Sequence, residues 1–385
     1  MTHVAEKKLL LLVDDDSENI QVFHSILKDR YKIRVATNGA KALELAKAEP
    51  LPDLILLDVM MPQMDGYEAC GLLKADQRTR DIPIIFLTGK TEVADETRGF
   101  EVGAVDYIHK PFSPPIVTAR VRNHLMLRDA HETVARQLLE INSELEMARQ
   151  IQLSILPRET PNLPGLAVEA RYIPMSSVAG DFYDFLVIDE KHLGILIADV
   201  SGHGLPSALI ASMLQTAFAA QGPSASDPAR VLSGLNKALC GKFRSHYVTA
   251  AYLFVDVEKG TVDYGAAAHP PLLRCRSGTG SVTECTQNGL MLGPFPDPPY
   301  SATSFSLDEG DRIVLITDGI IEAMDSSGKE FGMERLRQTV ESNNALPVNR
   351  FADALLGELA RWSEDAIGAR QSDDITLLAI DFRRP

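Results

Sequence analysis

The order of apolar and polar positions divides the chain into three stretches of different period. Up to about residue 122, short and nearly continuous apolar runs at 9–13, 32–36, 54–57, 84–87 and 106–108 alternate with amphipathic stretches. Unbroken apolar runs suit strands of a parallel sheet covered on both faces, and five β/α units predict a doubly wound α/β domain. From about 123 to 156, Leu127, His131, Val134, Leu138, Ile141, Leu145, Ala148, Gln152 and Ile155 are spaced by fours and threes. A repeat of about 3.5 residues is that of a coiled coil. Two readings stand side by side: a parallel two-stranded coil with polar seam positions at His131 and Gln152, and a single amphipathic helix packed on a neighbouring domain. Pro157 predicts the end of this helix, because proline cannot extend the hydrogen-bond ladder.

After a proline-rich turn (Pro157, Pro161, Pro164) strands and helices come in blocks. Strands are predicted at 247–257, 261–264, 312–316 and 375–382, and helices at 205–220, 228–243 and 348–364. That grouping predicts an α+β sandwich of roughly 230 residues. The expected boundaries are 1–122, a helical connector at 123–157, and 158–385.

Composition narrows the function classes. The 385 residues carry 53 acidic and 38 basic side chains, a formal charge of −15. So acidic a balance excludes a basic surface for nucleic acid or anionic membrane, and suits carboxylate clusters that hold cations. No helix-turn-helix pattern supports a DNA-binding regulator. The four cysteines (Cys70, Cys240, Cys275, Cys285) form no C-x-x-C pair and read as thiols of a reducing compartment. The apolar run 9–13 stops at three aspartates, and no stretch of about 20 apolar residues follows, so a cytoplasmic, soluble protein is expected.

Candidate chemistry begins at the strand ends of the first domain. Asp14 and Asp15 follow the first predicted strand, Asp58 follows the third, and Thr88 and Lys110 follow the fourth and fifth. Strand ends of an open parallel sheet converge on the ligand crevice. Three carboxylates together require a cation, and oxygen donors favour a hard ion such as Mg²⁺. A lysine and a hydroxyl beside them can hold phosphoryl oxygens, so a central aspartate can act as nucleophile. The motifs Asp14-Asp15, L-L-D-V-M-M-P-Q-M-D-G (56–66), F-L-T-G (86–89) and D-Y-I-H-K-P-F (106–112) resemble those of a response-regulator receiver domain. The resemblance implies that Asp58 is the phosphoacceptor, with Asp15, Asp58 and the Met60 carbonyl binding Mg²⁺ and Asp14 supporting the metal's waters. It also implies that Thr88 and Lys110 bind the phosphoryl group, that Tyr107 is the switch aromatic, and that the Lys110–Pro111 bond is cis.

Four further motifs follow residue 170: A-G-D-F-Y-D (179–184), I-A-D-V-S-G-H-G (197–204), I-T-D-G-I-I-E-A (316–323) and S-D-D-I-T (372–376). Each sets an aspartate at a strand end or glycine turn, which suggests a carboxylate cage for divalent cations. With no histidine or cysteine at ligand spacing, Mg²⁺ or Mn²⁺ is preferred to zinc. Together with A-R-Q-I-Q-L-S-I-L-P (148–157) these motifs resemble the PPM-type (protein phosphatase 2C-like) serine/threonine phosphatases of the SpoIIE and RsbU branch. By that resemblance Asp199 bridges two metals, the Val200 carbonyl binds one of them, Asp181 completes the second sphere, and Asp318 and Asp373 complete the first. Asp374 is the alternative to Asp373. Where relatives often read N-A-G-H, this chain has Ala266-Ala267-Ala268-His269, and His203 and His269 read as loop-ordering residues.

The expected function is a two-component response regulator phosphorylated at Asp58 by a histidine kinase or phosphotransfer protein. Its output is a metal-dependent phosphatase acting on a phosphorylated anti-sigma-factor antagonist, in a homodimer joined through the coil. The alternative is a phosphorylation-gated adaptor that binds a sigma or anti-sigma factor without turnover.

Overall fold

The computed structural model describes residues 7–89, 93–176, 178–243, 245–286, 288–363, 371 and 373–384. Ser372 of the last motif, position 364 of the last predicted helix and positions 1–6 of the first domain lie outside the described residues. The chain divides into two compact units, Met1–Glu140 and Ile141–Pro385.

In the first unit β1 (Leu9–Val13), β2 (Lys32–Ala36), β3 (Leu54–Asp58), β4 (Ile84–Thr88) and β5 (Asp106–His109) form one parallel sheet of order β2-β1-β3-β4-β5. Helices α1 (Ser17–Leu27), α2 (Gly39–Ala46), α3 (Gly66–Ala75) and α4 (Val93–Glu101) fill the crossovers. The strand period of two explains the unbroken apolar runs. Leu10, Leu12, Leu54 and Leu56 enter a core with Phe23 and Leu27 of α1, whereas Leu11, Val13, Ile55 and Leu57 enter the opposite core with Ala42 and Leu73. Asp16 caps α1 by accepting from the Glu18 amide.

Helix α5 (Pro114–Ile155) runs unbroken for 42 residues and stops just before Pro157. The structure separates two parts of this helix. Leu127, Val134, Leu138 and Ile141 are 56%, 53%, 55% and 51% exposed, an apolar seam with nothing packed on it. Gln152 is 6% exposed, and Leu153 and Leu156 join the core of the second unit. Gln152 is therefore no seam position, because this last stretch lies against its own domain.

The second unit is a sandwich of two antiparallel five-stranded sheets. The first holds β7 (Phe182–Val187), β8 (His192–Val200), β9 (Val248–Asp256), β10 (Thr261–Ala267) and β13 (Thr303–Ser306) in the order β13-β10-β9-β8-β7. The second holds β6 (Leu166–Ile173), β11 (Leu272–Cys275), β12 (Val282–Cys285), β14 (Arg312–Ile316) and β15 (Ile375–Phe382) in the order β12-β11-β14-β15-β6. Helices α6 (Leu205–Ala219) and α7 (Pro228–Leu239) cover the first sheet, and α9 (Gly332–Ser342) and α10 (Val348–Trp362) cover the second. The short α8 (Asp318–Ile321) follows β14. Alternation along β14 sends Ile313 and Leu315 between the sheets and Val314 and Ile316 under α9 and α10. Helix α7 ends earlier than its apolar pattern predicts, at Cys240 before Gly241, whose φ of 74° no helix accommodates. All four cysteines are free thiols, and among the described residues no helix is long and apolar enough to cross a membrane.

Candidate active sites

The receiver-like crevice is built by strand ends. Asp14 follows β1 directly and Asp58 closes β3, so parallel pairing of these neighbours brings their carboxyls to one edge with Asp15. One carboxylate oxygen from each of Asp14, Asp15 and Asp58 lies within 4.8 Å of the others. Lys110 Nζ sits 2.9 Å from Asp58 Oδ2 and 3.5 Å from Asp14 Oδ2, and the Lys110–Pro111 bond is cis. Burial raises the Asp58 carboxyl above its ordinary value, with the Asp14 charge adding to it and the Lys110 hydrogen bond opposing it. Asp14 Oδ1 accepts from the Asp16 amide and from Asn19, while its Oδ2 is buried without a hydrogen-bond donor. Three carboxylates against one ammonium, with a buried Asp14 oxygen that has only a 3.5 Å ion pair to Lys110, form a donor set that fits a hard divalent ion.

Gly66 matters here because a Cβ would lie 2.3 Å from the Asp58 carbonyl oxygen. Met60 donates its amide to Asp58 Oδ1 at 3.4 Å and holds its side chain in solvent. Thr88 is buried at the end of β4. Tyr107 is buried too, its ring packed with Phe86 and Phe100 and its hydroxyl in a notch of α4 that a Cβ on Gly99 would fill.

In the second unit the aspartates come from both sheets. Asp181 precedes β7 and Asp199 is the penultimate residue of β8, in the first sheet. Asp318 opens α8 after β14, and Asp373 and Asp374 precede β15, in the second. The two groups are tied together: Thr317 and Thr376 hydroxyls donate to Asp181 Oδ2 at 2.7 and 2.5 Å. Asp181 and Asp199 are near enough for the charge of Asp199 to act on the Asp181 carboxyl. Burial, then the charges of Asp318, Asp373 and Asp374, push Asp199 up to about 8. Burial and Asp373 push Asp318 up to about 6, and burial with Asp199 holds Asp181 well above the carboxylate range. Among the described residues no lysine or arginine forms an ion pair with any of the five. These carboxylates are spread more widely than the receiver trio, with no three of them meeting within 4.8 Å among the described residues.

The backbone around them is open where a ligand needs it. A Cβ on Gly180 would lie 2.7 Å from the Val200 carbonyl oxygen, so glycine leaves that oxygen room. Gly202 and Gly204 take φ of 84° and 83°, the left-handed region that glycine enters without strain. Uncompensated buried carboxylates beside an unobstructed carbonyl fit oxygen-preferring divalent ions.

The family model of stage II sporulation protein E (SpoIIE) matches residues 189–383, and that of the response regulator receiver domain matches residues 10–122. The chain belongs to the SpoIIE family. It is 31% identical over 258 residues to the phosphoserine phosphatase RsbU of Bacillus subtilis, covering 66% of this chain and 75% of RsbU. It is 32% identical over 251 residues to the phosphoserine phosphatase RsbP of the same organism, covering 64% and 59%. It is 43% identical over 128 residues to a probable cyclic di-GMP phosphodiesterase of Vibrio cholerae, covering 33% of this chain and 29% of that one. The chain thus spans less than two thirds of the length of RsbP and of the Vibrio protein. The SiaA-PP2C domain of Pseudomonas aeruginosa shares the fold, with a TM-score of 0.58 at 24% identity over 64% of this chain and 99% of that one. A receiver domain and a metal-dependent protein phosphatase domain of the PPM type are therefore joined in one polypeptide.

Within this SpoIIE-family domain, reading the sequence missed four residues that hold the site's frame. Thr317 and Thr376 stand inside the quoted motifs beside their aspartates, a signal masked by the carboxylates' own prominence. Asp374 accepts from the Met175 and Gly180 amides at 2.8 and 2.6 Å, so both its oxygens anchor the loop that carries Asp181. The half-buried Asp373 carboxylate accepts from the Asp374 amide alone among the described residues. Gln152 of α5 donates its side-chain amide to the Ala179 carbonyl and accepts from the Ala179 N–H at 2.9 Å, two residues from Asp181. Nothing in its heptad spacing distinguishes that role. Of the two histidines, His203 is exposed and His269 is buried.

Proposed function

We propose that the chain is a cytoplasmic two-component response regulator in which phosphorylation at Asp58 controls a protein serine/threonine phosphatase. The receiver spans residues 1–122, the helical connector 123–157 and the phosphatase 158–385. The observation that carries the reading is the mutual electrostatic influence of Asp181, Asp199, Asp318 and Asp373 from two sheets, with no lysine or arginine paired to them among the described residues, in a chain whose receiver motifs are complete.

In the receiver, the Asp58 carboxylate takes the phosphoryl group from a histidine kinase or phosphotransfer protein. The phosphorus–nitrogen bond of the donor breaks and a phosphorus–oxygen bond to Asp58 forms. Lys110 balances the charge brought in, and Thr88 and Tyr107 register the change. Asp14, Asp15, Asp58 and the Met60 carbonyl hold Mg²⁺. In the phosphatase, Asp199, Asp181, Asp318, Asp373 and the Val200 carbonyl hold two Mn²⁺ or Mg²⁺ ions. When bound, such ions lower the pKa of attacking water and neutralise phosphoryl oxygens. The protein fixes the carboxylates through the Thr317 and Thr376 hydroxyls and needs no nucleophilic side chain.

The names of RsbU and RsbP as phosphoserine phosphatases support a phosphoserine or phosphothreonine substrate, and we take it to be a phosphorylated anti-sigma-factor antagonist. The exposed seam of α5 supports a parallel homodimer, and the Gln152–Ala179 clamp offers a route from that helix to the Asp181 loop. The deciding experiment measures phosphate release from a phosphorylated antagonist by the full chain with Mn²⁺, with and without beryllofluoride. A rate that changes severalfold with beryllofluoride is expected. An unchanged rate overturns the gating, and tight binding without release replaces the phosphatase with an adaptor.

A further inference from the structure

The crossover from β10 to β11, residues 268–271, carries the chain from one sheet of the sandwich to the other. His269 in this crossover is 2% exposed. Its Nδ1 lies 2.9 Å from Thr249 Oγ1, and Thr249 pairs in register with Asp199 on the adjacent strand. Its Nε2 is buried without a hydrogen-bond partner among the described residues, and the Ile316 backbone, which ends β14 two residues before Asp318, lies beside the ring. One ring therefore touches the neighbour of Asp199 in one sheet and the approach to Asp318 in the other.

The surrounding backbone is held hard. Asn288 donates to the His269 carbonyl at 2.9 Å, the Ala268 amide donates to the Gly289 carbonyl at 2.9 Å, and the Gly289 amide donates to the Ala266 carbonyl at 2.7 Å. Ala268 takes a φ of 54°, a left-handed conformation that costs an L-residue roughly 1–2 kcal/mol and persists only where the surroundings over-determine it. Burial pushes the His269 ring down to about 3, so it is neutral at pH 7, with one nitrogen donating and the other accepting. The ring and the Thr249 hydroxyl share one hydrogen bond at Nδ1, whichever of the two donates.

We propose that His269 is a positioning residue whose ring spaces the Asp199 strand from the strand end bearing Asp318, and so sets the separation of carboxylates on which divalent-ion binding depends. The proposal rests on the reading of Asp181, Asp199, Asp318 and Asp373 as a metal centre. Its test uses the full chain with Asp15→Asn to silence the receiver crevice, titrated with Mn²⁺ by calorimetry, with Tm measured in parallel. His269→Leu is expected to weaken Mn²⁺ binding about tenfold or more, the size typical of lost supporting contacts. His269→Gln, whose amide reaches as far as Nε2, restores most of the affinity. Thr249→Val, which removes only the hydroxyl, weakens binding severalfold and serves if His269→Leu does not fold. Leu272→Ala, a buried core change beside the crossover, lowers Tm and leaves Mn²⁺ affinity in place. Affinity that stays at the parent value in His269→Leu and Thr249→Val, or that falls only as Tm falls in Leu272→Ala, overturns the proposal. A parent that binds no Mn²⁺, or an Asp199→Asn variant that binds it equally, overturns the metal-centre reading itself.

Discussion

The two acidic sites of this chain solve the same electrostatic problem in opposite ways. The receiver takes three carboxylates from adjacent strand ends of one sheet and sets Lys110 among them, 2.9 Å from Asp58. The phosphatase takes its carboxylates from two sheets and supplies no lysine or arginine among the described residues. A site with its own cation keeps its geometry when the metal leaves, at the cost of weaker metal affinity. A site without one stores repulsion that only bound ions relieve. On the proposed reading, the difference separates a crevice that exchanges a phosphoryl group from a cage that would retain metals.

Substitution tests this contrast most severely. Asp199→Asn should lower Mn²⁺-dependent dephosphorylation roughly 10²-fold or more while acetyl phosphate still labels Asp58. Asp58→Asn should abolish the labelling and leave the fold intact, as circular dichroism would report. If either substitution silenced both readouts, the sites could not be treated as separate chemistries. Gly180→Ala comes next, since its methyl would stand 2.7 Å from the Val200 carbonyl oxygen. A loss of about 10- to 100-fold in apparent Mn²⁺ affinity is expected, and normal affinity would remove Val200 from the site.

Stability against pH sharpens the comparison further. Unfolded aspartates titrate near 3.9, whereas Asp318 and Asp199 are pushed to about 6 and about 8. Between those values the native phosphatase domain holds protons that the unfolded chain has released, so its metal-free stability should fall as pH rises from about 4 to about 8. Saturating Mn²⁺ should flatten that slope in urea unfolding curves. A metal-free stability that rose across the window would contradict the packing of these carboxyls.

Smaller effects concern the frame. Gln152→Leu leaves the Ala179 N–H and C=O without their partner and should cost about 1–3 kcal/mol of stability in the second unit. No loss would mean that the clamp contributes nothing. Ala268→Gly should stabilise by about 1 kcal/mol, because glycine takes the positive φ without strain, and a lower Tm would refute the left-handed turn.

Legibility in the sequence differs between the regions for a physical reason. The receiver's strands were readable as unbroken apolar runs because both faces of its sheet are covered, and its acidic residues sit directly at the ends of those runs. In the phosphatase, β6, β7, β8, β11, β12 and β13 were not drawn from the pattern. Half-exposed strands such as β13 and β12 alternate weakly, and the motif aspartates at 184 and 199 fall inside β7 and β8. The heptad repeat of α5 was legible as a period, but a period does not say which turns stay exposed and which pack on their own domain. Only packing set Gln152 apart from Leu138.

Residue types and spacing alone were enough to draw a doubly wound α/β domain and an α+β sandwich and to mark the aspartates at their strand ends, because carboxylates there are costly without a role. Which oxygens are anchored and which are left open was decided in three dimensions. Asp374 and Asp373 are identical neighbours along the chain, yet one accepts two backbone amides and the other stays half-buried beside Asp318. Hydrogen bonds and burial depend on what the other sheet brings to the same place, and no local pattern of the chain carries that information.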